Sequence, residues 1–327
     1  MIGRILKTSI HSKQGNLILP GNSLLNEHNL TLLERHGIDL SVEDTQFVAD
    51  VIMEETISEI QMIFHKLHNQ KKLLPNSQIQ DRITPKIRYL CNNASLSCVI
   101  YELRKKDNYT YRHSVAVAVI SYLIGKWLGF NDEKLNDLAI AGLLHDLGKM
   151  NIPDTILNKP GRLTADEYAE IKLHPRFGYE AIQKISGITE EKALVALQHH
   201  ERENGSGYPF GITGQKISQF SKIVAVADVF HTMISQRVYK KPIPLYQVFL
   251  EIYHRAFGLF DPLVVQCFIN NMMNRMIGDL VFLSDGKMAR IVMIHPDDLL
   301  NPLVEAQGVF YDLRQTDTKI TNFAANF

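Results

Sequence analysis

The sequence predicts a mainly α-helical fold with a small mixed module at its beginning and a small β module at its end. Two observations carry this prediction. From about residue 42 to about residue 273, apolar residues recur at helical spacing or form runs long enough for buried helices. After Gly278 the residues alternate between apolar and polar types and break at Asp285 and Gly286, which is a strong hairpin signal.

The first two predicted segments flank the main helical domain on its N-terminal side. Residues 1–41 mix Gly and Pro with short apolar stretches, which is typical of strands and turns. Residues 42–106 form a helical lead-in segment with interruptions near Pro75 and Pro85. An apolar helix face usually exists to be buried, so this segment is expected to pack against the rest of the chain or to form a homodimer.

The main helical domain is predicted over residues 107–273. Its apolar runs, such as residues 115–124, are long enough for buried helices, and its Gly and Pro residues fall into loops. One loop leads to Thr164, which can cap a helix with Glu167 at the capping-box position. Residues 274–327 are predicted to form the β module.

The composition is that of an ordinary globular protein. Lys and Arg number 35 and balance 35 Asp and Glu, so the basic excess of duplex DNA binders is lacking. Cys91, Cys98 and Cys267 form no Cys-x-x-Cys pair and indicate packing residues in a reducing cytosol. No stretch has the ~20 apolar residues of a membrane span, and the N terminus lacks a signal-peptide core. We therefore expect a cytoplasmic protein with neither membrane nor DNA as a partner.

Five histidines and two aspartates of the main domain lie mostly where predicted helices end or loops begin. His145 and Asp146 close an apolar helix beside Gly148, so an imidazole and a carboxylate project together from one helix end. His199 and His200 are adjacent, and burying two imidazoles without a ligand costs desolvation twice. The seven candidate metal ligands are His113, His145, Asp146, His174, His199, His200 and Asp228.

A metal centre is the simplest explanation for the whole set. Taken alone, His113 is more simply interpreted as a hydrogen-bonded core histidine. Asp228, however, lies in the apolar run IVAVADVF, where an ionised carboxylate is destabilising unless it pairs with a cation or binds a metal. A ligand set of imidazoles and carboxylates without thiolate suits iron, manganese or zinc in a catalytic site better than a structural zinc knot.

Four motifs around these residues resemble the HD-GYP domain of the HD superfamily of metal-dependent phosphohydrolases. They are HDLGK from His145, LHP from Leu173, HHERENGSGYP from His199 and VADVFHTMISQRVYKK from Val226. The resemblance spans residues 109–273, and motifs of this length in this order are highly specific. It implies a largely helical fold around two or three metals and hydrolysis of cyclic di-GMP to linear pGpG, with GMP as a further product.

The resemblance also implies the role of each ligand. Two metals about 3.5 to 4 Å apart lower the pKa of a bridging water, which gives a hydroxide for in-line attack on phosphorus. Iron or manganese is favoured, with zinc as the alternative. The implied ligands are His113, His145, Asp146 and Asp228 for one metal, and Asp146, His174, His199 and His200 for the other.

Several basic residues are implied to bind the phosphate groups of the substrate. Lys149 lies one turn beyond the His-Asp pair and can neutralise a non-bridging phosphate oxygen. Arg237 and Lys240 match positions that bind phosphate in the family. Asp146 and Lys149 are therefore the predicted catalytic residues.

Three positions depart from the family pattern. Asn204 and His231 stand where the family commonly has Asp, and neither change removes an implied ligand. Members with a third metal need a carboxylate about one turn before the first ligand histidine. Tyr109 occupies that position, with Asp107 only nearby, which favours two metals over three.

The loop of Gly207, Tyr208 and Pro209 bears on the choice among three functions. It is expected to contact the substrate or to dock a signalling partner, because loops on a rigid scaffold often carry recognition. Besides a cyclic di-GMP phosphodiesterase, the alternatives are a phosphohydrolase acting on another nucleotide and a cyclic di-GMP receptor without turnover. The intact loop argues against the first alternative, and the complete ligand set argues against the second.

Overall fold

The computed structural model describes residues 4–12, 14–69, 75–93, 109–235 and 244–323. Within these residues the chain is mainly α-helical, with a five-stranded antiparallel sheet near its C-terminal end, so the predicted fold class is confirmed. Cys98, Asp107, Arg237 and Lys240 lie outside the described residues. Among the described helices, none combines the length and the apolar character that crossing a lipid bilayer requires.

A small mixed module begins the chain. Its elements are β1 (Arg4–Leu6), β2 (Ile10–His11), β3 (Leu17–Leu19), α1 (Glu27–Arg35) and β4 (Thr45–Phe47). β1 pairs with β4 and β2 pairs with β3, both antiparallel. Leu6, Leu19, Leu25 and Leu33 form an apolar cluster of their own, separate from the main core. The asparagine before α1, Asn26, accepts a hydrogen bond from the backbone of Asn29 and caps this helix.

The described part of the lead-in segment contains two long helices, α2 (Val48–Asn69) and α3 (Asn76–Asn93). α3 begins directly after Pro75, but the interruption predicted near Pro85 is wrong, because α3 continues through that residue. Proline inside a helix costs about 3 kcal/mol, whereas each apolar side chain buried along α3 contributes roughly 1.5–3 kcal/mol. The buried residues of that helix face are Ile79, Ile83, Ile87 and Leu90.

Within the described residues, nine further helices build the main domain around an apolar core. They are α4 (Tyr109–Trp127), α5 (Asp132–Leu144), α6 (Asp154–Leu157), α7 (Ala165–Ile171), α8 (His174–Gln183), α9 (Glu190–Gln198), α10 (Gln219–Ile234), α11 (Leu245–Leu259) and α12 (Pro262–Asn274). A 3₁₀ helix, Leu147–Asn151, follows α5 directly. The capping box predicted at Thr164 and Glu167 is confirmed at the start of α7.

Close packing of α4 on α5 orders the middle of this domain. A Cβ atom on Gly142 of α5 would lie 3.3 Å from the Ala118 Cα atom of α4, so the two backbones approach more closely than larger side chains allow. Both helices are buried over most of their length, and α2, α3 and α10 pack against α4. The end of α5 is thereby held inside the protein.

The C-terminal β module is a five-stranded antiparallel sheet in the order β8-β7-β6-β5-β9. Its strands are β5 (Leu280–Leu283), β6 (Met288–His295), β7 (Asp298–Ala306), β8 (Val309–Asp312) and β9 (Ile320–Phe323). The predicted hairpin is confirmed, since β5 pairs with β6 and Gly286 adopts a positive φ of 86° between them. One face of the sheet contributes Val281, Ile291 and Val304 to the core of the main domain.

Candidate metal centre

The seven predicted ligands converge from five parts of the main domain. His113 lies in the first turns of α4, His145 and Asp146 follow α5, and His174 begins α8. The other three are His199 and His200, which follow α9, and Asp228, which lies within α10. All of them are buried except His200, which is half-buried.

The carboxylate of Asp146 lies at the middle of the group. Its Oδ2 atom is 3.4 Å from His113 Nε2 and 3.3 Å from His145 Nε2. Its Oδ1 atom is 3.3 Å from His174 Nε2 and 3.7 Å from His199 Nε2. Each oxygen therefore faces a different pair of imidazoles, which is the arrangement that a carboxylate shared between two cations requires.

The ligand atoms form two overlapping groups that share Asp146. The first group holds Asp146, His174, His199 and His200, and the second holds His113, His145 and Asp146. Within each group, one nitrogen or oxygen atom from every residue lies within 4.8 Å of the corresponding atoms of the others. Asp228 borders the second group, because its Oδ1 atom lies 3.2 Å from His113 Nε2.

Three of the imidazoles are oriented by the backbone at the ends of helices. In each of them Nδ1 lies within hydrogen-bond distance of the carbonyl oxygen three residues earlier, which can only accept. In the neutral ring the proton is therefore on Nδ1, and the Nε2 atom faces Asp146. These bonds run from His145 to Gly142 (2.7 Å), from His174 to Ile171 (2.6 Å) and from His199 to Ala196 (2.9 Å).

Two glycines allow the backbone to close around the ligands. A Cβ atom on Gly148 would lie 2.0 Å from the carbonyl oxygen of His174, so only glycine lets the 3₁₀ helix after Asp146 pack against α8. A Cβ atom on Gly207 would lie 2.4 Å from the Glu201 Cα atom. Both positions therefore need a residue without a side chain.

Glu201 anchors the loop that contains Tyr208, and the sequence analysis missed this role. Glu201 is 2% exposed, and its carboxylate accepts hydrogen bonds from the backbone amides of Phe210 (2.8 Å) and Ile212 (3.1 Å). The anchored loop stacks the Tyr208 ring on His200 at 4.6 Å between centroids. An acid directly between the His pair and a Gly-rich loop was the available signal.

Both carboxylates of the site are held in their ionised form. Burial alone would raise the pKa of Asp146, but the charges of His145 and Lys149 outweigh burial and hold it well below its ordinary value. Lys149 Nζ lies 2.5 Å from Asp146 Oδ2. Burial likewise opposes ionisation of Asp228, and the hydrogen bond and charge of His113 overcome it and lower the pKa.

The histidines differ in their affinity for a proton. Burial lowers the pKa of His199 to about 4, and burial together with the adjacent His199 imidazole lowers the pKa of His200 well below its ordinary value. Burial also lowers the pKa of His113, but hydrogen bonds to Asp146 and Asp228 reverse the effect and raise it. His199 and His200 are therefore neutral at pH 7 and have lone pairs available for a cation.

The donor atoms of the site fit a divalent metal ion. Within the part of the chain that the structure describes, the buried atoms His145 Nε2 and Asp146 Oδ1 have no hydrogen-bond partner, which is costly unless a cation contacts them. Imidazole and carboxylate ligands without thiolate suit iron, manganese or zinc. The site thus has the chemistry of a divalent-metal centre, and its donors do not decide which metal binds.

A cleft of about 760 Å³ opens onto the metal centre at Asp146 and Lys149. Its far wall is the C-terminal turn of α2, including His65 and His68, although the apolar pattern of that helix predicts only packing or dimer formation. Tyr111 of α4 contacts this wall, since its hydroxyl group lies 3.3 Å from His65 Nε2. The volume is typical of a small-ligand site.

Comparison with known proteins gives a family model and several relatives. A family model described as HD domain matches residues 97–264. Cyclic di-GMP phosphodiesterase PA4108 of Pseudomonas aeruginosa is 37% identical over 222 residues, which are 68% of this chain and 52% of the relative. A cyclic di-GMP phosphodiesterase of Thermotoga maritima is 41% identical over 165 residues, or 50% of this chain and 45% of the relative.

A solved structure shows a similar fold. Bd1817, a HDG"Y"P protein from Bdellovibrio bacteriovorus, matches with a TM-score of 0.55 at 16% identity over 83% of this chain and 95% of that chain. This likeness concerns the fold alone. The chain spans about half the length of the curated relatives that it matches.

We predict that the metal-free protein loses stability as the pH falls from 6.5 to about 4. The pKa of His199 is about 4 in the folded chain against an ordinary 6.5, so the unfolded state binds more protons within this window. The stabilisation, about 3 kcal/mol for this residue, is fully present above pH 6.5 and is lost as the pH falls through the folded value.

Urea unfolding of chelator-treated protein from pH 4 to pH 7 measures this dependence. Replacement of His199→Gln should flatten the dependence, because glutamine does not titrate. Parallel pH profiles for the two proteins would contradict the prediction.

Proposed function

The chain belongs to the HD domain family, and from that membership we propose that it is a metal-dependent phosphodiesterase that hydrolyses cyclic di-GMP to linear pGpG, with GMP as a further product. The observation that carries the proposal is the buried Asp146 carboxylate, each of whose oxygens faces a separate pair of imidazoles. The names of the relatives from Pseudomonas aeruginosa and Thermotoga maritima support cyclic di-GMP as the substrate.

The proposed centre holds two divalent ions, with iron or manganese favoured over zinc. The overlap of two donor groups at Asp146 supports two ions. Asp228 is proposed as a further ligand on the side of His113, which its carboxylate contacts. One ion would be held by His113, His145, Asp146 and Asp228, and the other by Asp146, His174, His199 and His200.

The chain's own residues prepare this site for reaction at a phosphodiester. When bound, the ions would activate water as a nucleophile at neutral pH and neutralise charge on the phosphate. The backbone carbonyl groups hold three imidazoles with Nε2 inward, so little reorganisation is needed. The ammonium group of Lys149 lies beside Asp146, where it can contact a non-bridging oxygen of the scissile phosphate.

The adjoining cleft is proposed to hold the rest of the cyclic dinucleotide. Its lining combines the imidazoles of His65 and His68 with side-chain amides from Asn69, Asn151 and Asn158, which are suitable partners for phosphate and for base edges. Contacts of phosphate with Arg237 and Lys240 stay predictions. So do docking of a signalling partner at the Tyr208 loop, a homodimer through the lead-in segment and a cytoplasmic location.

The proposed function is tested by substituting Asp146→Ala. We expect the metal-loaded wild type to release linear product from cyclic di-GMP, and the variant to lose at least about a hundredfold in kcat/KM together with its bound metal. Elemental analysis and chromatography of the products measure the two effects. His295→Ala, which alters a buried histidine of the C-terminal sheet, is the matched control and should retain turnover.

The same assay separates the alternative functions. Metal-replete wild type that binds cyclic di-GMP without turnover would make the chain a receptor. Faster turnover of another cyclic dinucleotide would reassign the substrate while leaving the metal chemistry in place.

We also predict that His199→Ala lowers the metal content by about one ion per chain and leaves the fold intact. His199 faces the Oδ1 side of Asp146 and belongs to one of the two donor groups, so the other group keeps its ligands. Elemental analysis with circular dichroism measures metal content and fold. An unchanged metal content in a folded variant would show that the assignment of His199 is wrong.

A further prediction concerns the wall of the cleft. His68→Ala should raise KM for cyclic di-GMP about fivefold with little change in kcat, because one hydrogen bond is worth about 1 kcal/mol. Lys66→Ala, at an exposed position of the same helix outside the cleft lining, is the matched control. Steady-state kinetics measures KM and kcat for the wild type and both variants. Equal KM values for the three proteins would show that the substrate does not contact this wall of the cleft.

A further inference from the structure

Among the contacts between described residues, His113 is the one of the four imidazoles surrounding Asp146 that meets another side-chain ring through Nδ1. We propose that His231 is a positioning residue that sets the tautomer of His113 and keeps the Nε2 lone pair of His113 directed at the metal centre. The proposal rests on the proposed function, in which His113 is a metal ligand.

The two rings lie in direct contact inside the protein. His113 Nδ1 is 2.8 Å from His231 Nδ1, and the ring centroids are 4.9 Å apart. Both side chains are buried, so water does not replace this hydrogen bond. The opposite nitrogen of His113, Nε2, faces the carboxylates of Asp228 (3.2 Å) and Asp146 (3.4 Å).

The hydrogen-bond partner of Nδ1 is an imidazole for His113. For His145, His174 and His199 it is a backbone carbonyl oxygen. A backbone carbonyl oxygen can only accept a hydrogen bond, so it places the proton of its imidazole on Nδ1. A ring nitrogen can donate or accept, depending on its own tautomer. The tautomer of His113 is therefore coupled to the tautomer of His231.

The hydroxyl group of Ser235 also contacts His231. It donates to the carbonyl oxygen of His231 at 2.7 Å. Its oxygen lies 3.0 Å from His231 Nε2 and 3.3 Å from His231 Nδ1, and at nearly equal distances it cannot be aligned with an N–H bond of either nitrogen. The proton of His231 is therefore placed by the hydrogen bond with His113 and not by Ser235.

Metal binding at His113 would give this hydrogen bond one direction. Without a metal ion, the carboxylates of Asp146 and Asp228 favour a proton on the Nε2 atom of His113 that faces them. With a metal ion on Nε2, the proton of neutral His113 would be on Nδ1 and would be donated to His231 Nδ1, so His231 would carry its own proton on Nε2. If His231 donated instead, the proton of neutral His113 would move to Nε2 and block metal binding.

Two substitutions of His231 separate this role from simple packing. His231→Leu fills the space without an acceptor, whereas His231→Asp restores a group that accepts a hydrogen bond. We expect the affinity for Mn²⁺ to fall 10- to 100-fold in the leucine variant, as is typical when a hydrogen-bond partner of a metal ligand is lost, and to recover largely in the aspartate variant. Competition titration against a chelator measures the affinity.

Nitrogen-15 NMR of protein loaded with Zn²⁺, which is diamagnetic, reports the tautomer directly. We expect His113 protonated on Nδ1 and His231 protonated on Nε2 in the wild type, and His113 still protonated on Nδ1 in the His231→Asp variant. His295→Leu, a buried histidine outside the site, is the matched control and should leave both the tautomer and Mn²⁺ affinity unchanged.

The outcomes distinguish the inference from the proposed function. Equal Mn²⁺ affinity in wild type and a folded His231→Leu variant, or a Zn²⁺-loaded wild-type spectrum with His231 protonated on Nδ1, would overturn the inference. If the leucine variant does not fold, the spectra of the wild type and of His231→Asp still decide the question. Folded wild type that binds no divalent metal would refute the proposed function, whereas metal binding unaffected by His231→Leu would refute the inference alone.

Discussion

The structure of the main domain depends on one buried carboxylate, that of Asp146, which is only 2% exposed. An ionised carboxylate is stable at such a position only if cations or hydrogen-bond donors surround it. Lys149 contacts it from one side, and four imidazoles come within 3.7 Å of its two oxygens. Helices α4, α5, α8 and α9 must therefore end or begin close to one another, and Gly148 allows this approach.

The ends of the helices also orient the imidazoles of the site. The last four carbonyl groups of a helix lack partners within that helix. Gly142, Ile171 and Ala196 lie in the last turns of α5, α7 and α9, and their carbonyl oxygens accept the Nδ1 protons of three histidines. The same contacts satisfy the helix ends and orient the imidazoles, so the site is preorganised by ordinary secondary structure. His113 lies inside a helix near its beginning, where no free carbonyl is available, and uses a side chain instead.

The lead-in helices show why local patterns predict a fold better than they predict a site. Helical periodicity correctly predicted α2. The break predicted at Pro85 is wrong, because packing of the apolar face of α3 outweighs the cost of one proline. The same periodicity indicates which face of α2 is buried, but not that its last turn borders the cleft at Lys149. That position depends on how α2 packs on α4, which is a long-range contact.

The sequence by itself determined the mainly helical class, the C-terminal hairpin and the seven candidate ligands, because helical periodicity, turn residues and contiguous motifs are local properties. Tertiary structure alone decided that each oxygen of Asp146 faces a different pair of imidazoles, that Glu201 anchors the Tyr208 loop and that His231 contacts His113. These residues meet across gaps in the sequence of up to 118 positions. Such contacts arise from the packing of helices, and no local pattern of residue types encodes the distance between two side chains.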